Sequence, residues 1–127
     1  MFKHWLAQSN EDLKSAEALF IAGRYTWCAF ICQQTIEKVL KAAYVKIYKK
    51  IPPHIHKLER LCQLLEIVPP EELLAALIEI DKYYIASRYP SYIKKLNINN
   101  RNNAKSLLND TKGIQKWIIK IQKLEKR

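Results

Sequence analysis

The sequence predicts an all-α protein, an up-and-down bundle of four long helices and one short helix, and three observations carry that prediction. Apolar residues recur every three or four positions through four long segments, the spacing that gathers them on one face of a helix. Only two glycines occur in 127 residues, Gly23 and Gly113, too few for a turn-rich β fold or a glycine-rich phosphate loop. Two proline pairs, Pro52-Pro53 and Pro69-Pro70, interrupt the helical pattern where a ring without an N–H must break it.

The first helix is expected from about Lys3 to Ala22, with Phe2, Trp5, Leu6, Leu13, Ala16 and Phe20 on its inner face. Gly23 ends it, because glycine tolerates the left-handed conformation past a helix terminus. The second helix is expected from about Tyr25 to Lys49. Its apolar face is Ile36, Val39, Leu40, Ala43, Tyr44 and Ile47, widened by Ala29, Phe30, Ile31 and Cys32. A helix apolar so far around belongs at the centre of a bundle. A short helix fits Lys57 to Glu66 through Leu58, Leu61, Leu64 and Leu65. Pro70 with Glu71 and Glu72 makes a good start for the next helix, since proline suits the first turn and acids suit the positive dipole end. That helix carries Leu73, Leu74, Leu77, Ile80 and Tyr84 and ends near Arg88-Tyr89-Pro90. Tyr92 to Asn100 reads as a polar loop. The last helix is expected from about Arg101 to Lys126, with Ala104, Leu107, Leu108, Thr111, Ile114, Ile118 and Ile121 inward and Trp117 beside them.

The length suits one domain, residues 1–127, large enough to bury a core without disulfides or metal. Apolar residues make up 49%, which excludes a disordered chain. No run approaches the ~18 apolar residues that span a bilayer, and Met1 to Ser9 does not read as a signal peptide. Three sparse cysteines, Cys28, Cys32 and Cys62, suit a reducing cytoplasm. The formal charge is +10 and is unevenly placed. From residue 94 onward there are ten basic and two acidic residues, a net +8, whereas residues 1–93 carry +2. Lys112, Lys116, Lys120 and Lys123 form a stripe on the last helix, either a solvated face or a surface for RNA backbone or an acidic partner. With Trp117 turned inward, the stripe lacks the aromatics of base readout.

Candidate site residues concentrate on the second helix. Gln34, Lys38 and Lys41 share one side, Glu37 precedes Lys41 by one turn in the favourable order, and Gln33 neighbours Glu37. Spacing alone allows an exposed face with one ion pair, worth about 0.3–0.5 kcal/mol, or a polar interface between helices or subunits. His54, His56 and Cys62 lack the further ligands of a metal site. His56 is expected to orient the short helix through the backbone, and Cys28 and Cys32 to be buried structural thiols. Arg88 suits either the carbonyls of a helix end or a phosphate.

Trp27 to Ala42, WCAFICQQTIEKVLKA, resembles the signature helix of the HEPN family (higher eukaryotes and prokaryotes nucleotide-binding domain). Trp5 with Asp12-Leu13 and Ala16 resembles that family's first helix, and Gly23-Arg24-Tyr25 its first turn. Pro53, His56 and Leu58 resemble its connection to the short helix, and Arg88-Tyr89-Pro90 the segment after its fourth helix. The ordered set covers nearly the whole chain. The resemblance implies a homodimeric, cytoplasmic, prokaryotic protein that binds nucleotide or RNA. It implies a toxin-like or substrate-binding subunit beside a separate minimal nucleotidyltransferase. Asp12, Gln33, Gln34, Glu37, Lys38, Lys41, Arg88 and Tyr89 would line the ligand groove.

Active members resemble metal-independent ribonucleases with an Arg, a polar residue and a nearby His. In that chemistry the ribose 2′-OH attacks phosphate, His moves a proton and Arg stabilises the charge. This sequence departs from the pattern, because no His follows His56. Binding is therefore expected rather than catalysis, with no cofactor or metal. A divergent ribonuclease toxin, using Tyr92 or Lys94 for proton transfer, and a structural interaction module are the alternatives.

Overall fold

Five α-helices form among the residues that the computed structural model describes, which are 1–86, 88, 89, 91 and 100–125. They are α1 (Phe2–Ile21), α2 (Tyr25–Tyr48), α3 (Leu58–Leu64), α4 (Glu71–Ala86) and α5 (Arg101–Ile121). No strand occurs among these residues, and no helix is long and apolar enough to cross a membrane.

Contacts between helix ends fix the topology. Phe2 meets Lys46, so α1 and α2 are antiparallel. Arg101 meets Phe20, so α5 is antiparallel to α1. Phe30, near the start of α2, meets Tyr84, near the end of α4, so these two are also antiparallel. Helix α2 touches each of the other four and is buried nearly all around, as its breadth of apolar residues predicts. Ile36, Val39 and Leu40 on α2, Leu77 and Ile80 on α4, and Ile114 and Ile118 on α5 form the centre of the core. A polar latch, which periodicity does not foretell, crosses it. Ser9 Oγ donates to Thr35 O at 2.7 Å, while Gln115 Nε2 donates to Ser9 Oγ and Asn10 Oδ1, each at 3.0 Å.

Three helices end in the same closure. After α1, α3 and α5 the backbone turns left-handed at Gly23, Glu66 and Lys123. The next N–H then reaches back five residues, from Arg24 to Leu19 O, Ile67 to Cys62 O, and Leu124 to Ile119 O. This is the Schellman arrangement, and it satisfies carbonyls that a helix end leaves open. It also shortens the last helix, which stops at Ile121 rather than near Lys126. Lys46 Nζ seals that end by donating to Gln122 O and Lys123 O at 2.9 and 2.6 Å. Leu124 folds back and is buried, whereas Ile121, expected inside, is exposed. Ile47 is exposed likewise. Both lie in final turns, where the period continues after the packing partners have ended.

Helix α5 is capped at its start by Asn100, whose Oδ1 accepts from Asn103 N at 2.8 Å. Its interior contains Gly113, and a methyl group added there meets nothing within 4 Å. Gly113→Ala is expected to stabilise the protein by about 1 kcal/mol, because alanine removes backbone entropy from the unfolded chain without a clash. Thermal unfolding monitored by circular dichroism would show a rise of roughly 3–5 °C.

Candidate functional site

The polar residues of α2 are not an exposed face. Gln33 is fully buried, and Glu37 and Lys41 are nearly so. Helical spacing stacks the three side chains on successive turns, and the crowding around α2 then removes them from water. Gln33 Nε2 donates to His56 O at 2.9 Å and has longer contacts of 3.4 Å to Glu37 Oε1 and Asp81 Oδ1. Its Oε1 accepts from Gln34 Nε2 at 2.8 Å. Glu37 Oε2 pairs with Lys41 Nζ at 3.1 Å, and its carboxylate faces His56 Nδ1 at 3.2 and 3.3 Å. An ionised carboxylate only accepts, so Nδ1 carries the hydrogen of that bond.

Asp81 extends the network to α4 and α3. Its Oδ2 accepts from Leu58 N at 3.0 Å. The residue at the α3 N-cap, Lys57, supplies no side-chain cap bond. A carboxylate from another helix therefore caps α3. Burial pushes the Asp81 carboxyl above the usual range, opposed by the Leu58 N–H, Gln33 and Lys57. His56 was expected to orient the short helix through the backbone. Instead its ring bonds the Glu37 side chain, its carbonyl accepts from Gln33, and Asp81 does the orienting. The reason is that Gln33 and Glu37 are buried on α2 within reach of His56, so they take up its carbonyl and its ring.

An aromatic row continues from this network. The His56 ring stacks on Tyr84 with centroids 4.5 Å apart and planes 15° from parallel. Phe30 lies 6.4 Å from Tyr84, and Trp27 lies 6.0 Å from Phe30. Arg88 Nη2 donates to Tyr84 Oη at 3.0 Å, with its guanidinium carbon 4.9 Å from the ring centroid. Beside the row opens a groove of about 480 Å³. Ile78, Tyr84 and Ile85 give it apolar walls, and His56, Lys57, Glu59, Asp81 and Lys82 give it polar ones.

The eight predicted site residues thus separate. Gln33, Glu37 and Lys41 form one buried cluster, with Gln34 at its edge. Arg88 and Tyr89 are exposed at the end of α4, and Arg88 is linked to the cluster through Tyr84 and His56. Asp12 and Lys38 pair with each other at 2.7 Å, bridging α1 and α2. Pro90, Tyr92, Lys94, Lys95, Lys126 and Arg127, with all of the loop read from Tyr92 to Asn100 except Asn100 itself, lie outside the described residues. Sequence reasoning missed Asp81 and Tyr84 as site residues. One signal was available. Leu77, Ile80, Asp81 and Tyr84 follow the i, i+3, i+4, i+7 pattern, which puts an acid inside the apolar stripe of α4.

Cys28, Cys32 and Cys62 are free and buried. Burial pushes the Cys62 thiol up to about 12. Cys32 is also raised, because it donates its hydrogen bond to Cys28, whose own value that bond lowers. Enclosed thiols of this kind serve packing. Among the described residues, no three His, Cys, Asp or Glu side chains gather as a metal set.

A family model described as the HEPN domain matches residues 2–122. The crystal structure of TT1696 from Thermus thermophilus superposes with a TM-score of 0.79 at 26% identity, covering 94% of this chain and 96% of that one. The crystal structure of ST0689, an archaeal HEPN homologue, superposes with a TM-score of 0.76 at 25% identity, covering 96% and 98%. No curated protein matches the sequence.

Proposed function

The chain belongs to the HEPN domain family, and from that premise we propose that it is a nucleotide- or RNA-binding subunit paired with a separate minimal nucleotidyltransferase in a prokaryotic, toxin–antitoxin-like system. The groove beside His56 and Tyr84 is the observation that carries the reading. Its volume falls in the range of small-molecule sites, and it combines apolar walls with a few convergent polar groups. Ile78 and Ile85 offer a base an apolar surface beside the Tyr84 ring, which already stacks on His56 and lies under Arg88. Lys57 and Lys82 line the groove beside Glu59 and Asp81, Lys82 being paired with Glu79 at 2.8 Å, and Arg88, bonded to Tyr84 at the groove's wall, supplies a further cation for phosphate. The buried residues of α2 hold this surface rather than touch the ligand. Gln33 fixes the His56 backbone, Glu37 fixes its ring, and the ring supports Tyr84.

The partner assignments rest on other features. Trp27, Ile85 and Tyr89 are each about half exposed around the same aromatic row. An apolar surface of this kind suits a protein interface, which supports a homodimer closing over the groove. The nucleotidyltransferase partner and the cytoplasmic setting rest on the family resemblance.

A second reading has one observation behind it. The sequence separates Arg88 from any following His, yet the fold brings His56 and Arg88 onto the same Tyr84 ring. That is the residue pair a metal-independent ribonuclease needs, assembled in space rather than in sequence.

The two readings part in one experiment. Titration calorimetry with adenine and uridine nucleotides is expected to show binding by the wild-type protein and at least about tenfold weaker binding by Arg88→Gln, the loss of one charge-assisted contact. Labelled RNA incubated with chelator stays intact under the first reading. Cleavage that His56→Ala abolishes would replace it with the second. Co-expression with the neighbouring gene's product tests the partner. A chain that binds no nucleotide, cleaves no RNA and captures no neighbour is neither.

A further inference from the structure

Helix α5 carries a cationic face on the side away from the core. Arg101, Lys105, Lys112, Lys116 and Lys120 are all exposed. At 3.6 residues per turn they fall within about 100° of arc, and at 1.5 Å per residue they extend over about 28 Å. Asp110 lies on a different side, about 130° from the middle of that arc. Among the described residues, the acidic side chain paired with the row is Glu17 of α1, 3.6 Å from Lys112, with both groups nearly half exposed. A pair so exposed is screened and weak, so it does not neutralise the row.

Two further features mark the face. Polar side chains, Asn102, Ser106 and Asn109, lie along its edge and are exposed. Gly113 lies beside Asn109 and Lys116, with open space where a side chain would be. No contact within the fold requires that glycine, and the helix is weaker for it. A missing side chain on an outer surface permits close approach by another molecule.

We propose that this face of α5 is a tract for the sugar-phosphate backbone of a single RNA strand, separate from the groove. A protein partner suits it poorly, because interface centres are apolar and aromatic and are depleted in lysine. Nucleic-acid surfaces are strongly positive and polar, and Lys, Arg, Ser and Asn are their phosphate contacts. A duplex winds away from a straight row, whereas a flexible single strand follows all of it. The amide and hydroxyl groups along the edge can meet a 2′-OH, the group that separates RNA from DNA. With no exposed aromatic in the row, the binding is indifferent to base sequence.

The test is fluorescence anisotropy with labelled oligouridine and oligoadenine across a salt series. Five phosphate contacts give a log–log salt slope of about −3.5. The triple variant Lys112→Gln, Lys116→Gln, Lys120→Gln is expected to flatten that slope by about 2 and to weaken binding at least about tenfold at low salt. Its circular dichroism and its binding of mononucleotide stay as in the wild type. Arg88→Gln, aimed at the groove, changes the slope by no more than about one contact, so failure here and failure of the groove reading are distinguishable. Gly113→Ala weakens oligonucleotide binding while raising the melting temperature. An unchanged slope in the triple variant overturns the proposal. So does oligoglutamate binding as tightly as RNA, or duplex DNA binding more tightly than a single strand.

Discussion

Glu37→Ala is expected to destabilise the protein by about 3–5 kcal/mol, against a total of about 5–15 kcal/mol for an ordinary domain. Glu37 and Lys41 are both nearly buried, and their 3.1 Å contact sits inside a helix packed on all sides. Deleting the carboxylate leaves the ammonium desolvated with no counter-charge, and it removes the acceptor facing His56. The Trp5 ring, 5.7 Å from Lys41 Nζ, offers the cation only a partial substitute. Replacing both partners, with Glu37→Leu and Lys41→Met together, is expected to recover most of the loss, because no charge is then left without a partner. Urea unfolding of the wild type, the two single variants and the double variant measures the coupling. If each single variant costs less than about 1 kcal/mol, the pair behaves as a surface ion pair and the buried network is wrong.

Asp81→Ala is expected to cost about 2–3 kcal/mol, because the Leu58 N–H loses its cap and Gln33 loses a partner in the same step. Asp81→Asn separates shape from charge, since an amide oxygen can still accept from Leu58. The sign of its pH dependence follows from the raised Asp81 carboxyl. Above the ordinary carboxylate value and below the raised one, the folded state holds more protons than the unfolded state. The stability due to this group is therefore present at low pH and declines as pH rises through that window. Asn does not titrate, so Asp81→Asn should gain relative to the wild type as pH rises from about 4 toward neutral. Urea midpoints at both ends of that range decide it. A gap that narrows toward acid rather than neutral pH would place Asp81 in the opposite class, a carboxylate held ionised by its partners.

Much of the fold is readable along the chain. Among the described residues periodicity gave the five helices, and Gly23 and Pro70 marked their boundaries correctly. The centrality of α2 followed from how far around it is apolar. Misplaced details were end effects. Ile47 and Ile121 continue a period that the packing does not continue. Lys123 adopts a left-handed turn that no residue type there announces, so the last helix closes five residues early.

The site was legible only in part. On α2 the chain shows Gln33, Glu37 and Lys41 on adjacent turns, and that spacing is local information. Their burial is not local, since it depends on α1, α3, α4 and α5 closing around one helix at once. The partners that give those residues meaning are far along the chain. Gln33 reaches His56 and Asp81, and Tyr84 receives both His56 and Arg88. By itself the sequence determined the helices, the family and the polar residues of α2, because periodicity, breakers and motif order act over short stretches. Only the tertiary structure decided that those residues are a buried frame, and that an Arg and a His on separate elements share one tyrosine. Pairings across dozens of residues are selected by the packing of whole helices, and no spacing rule along the chain encodes them.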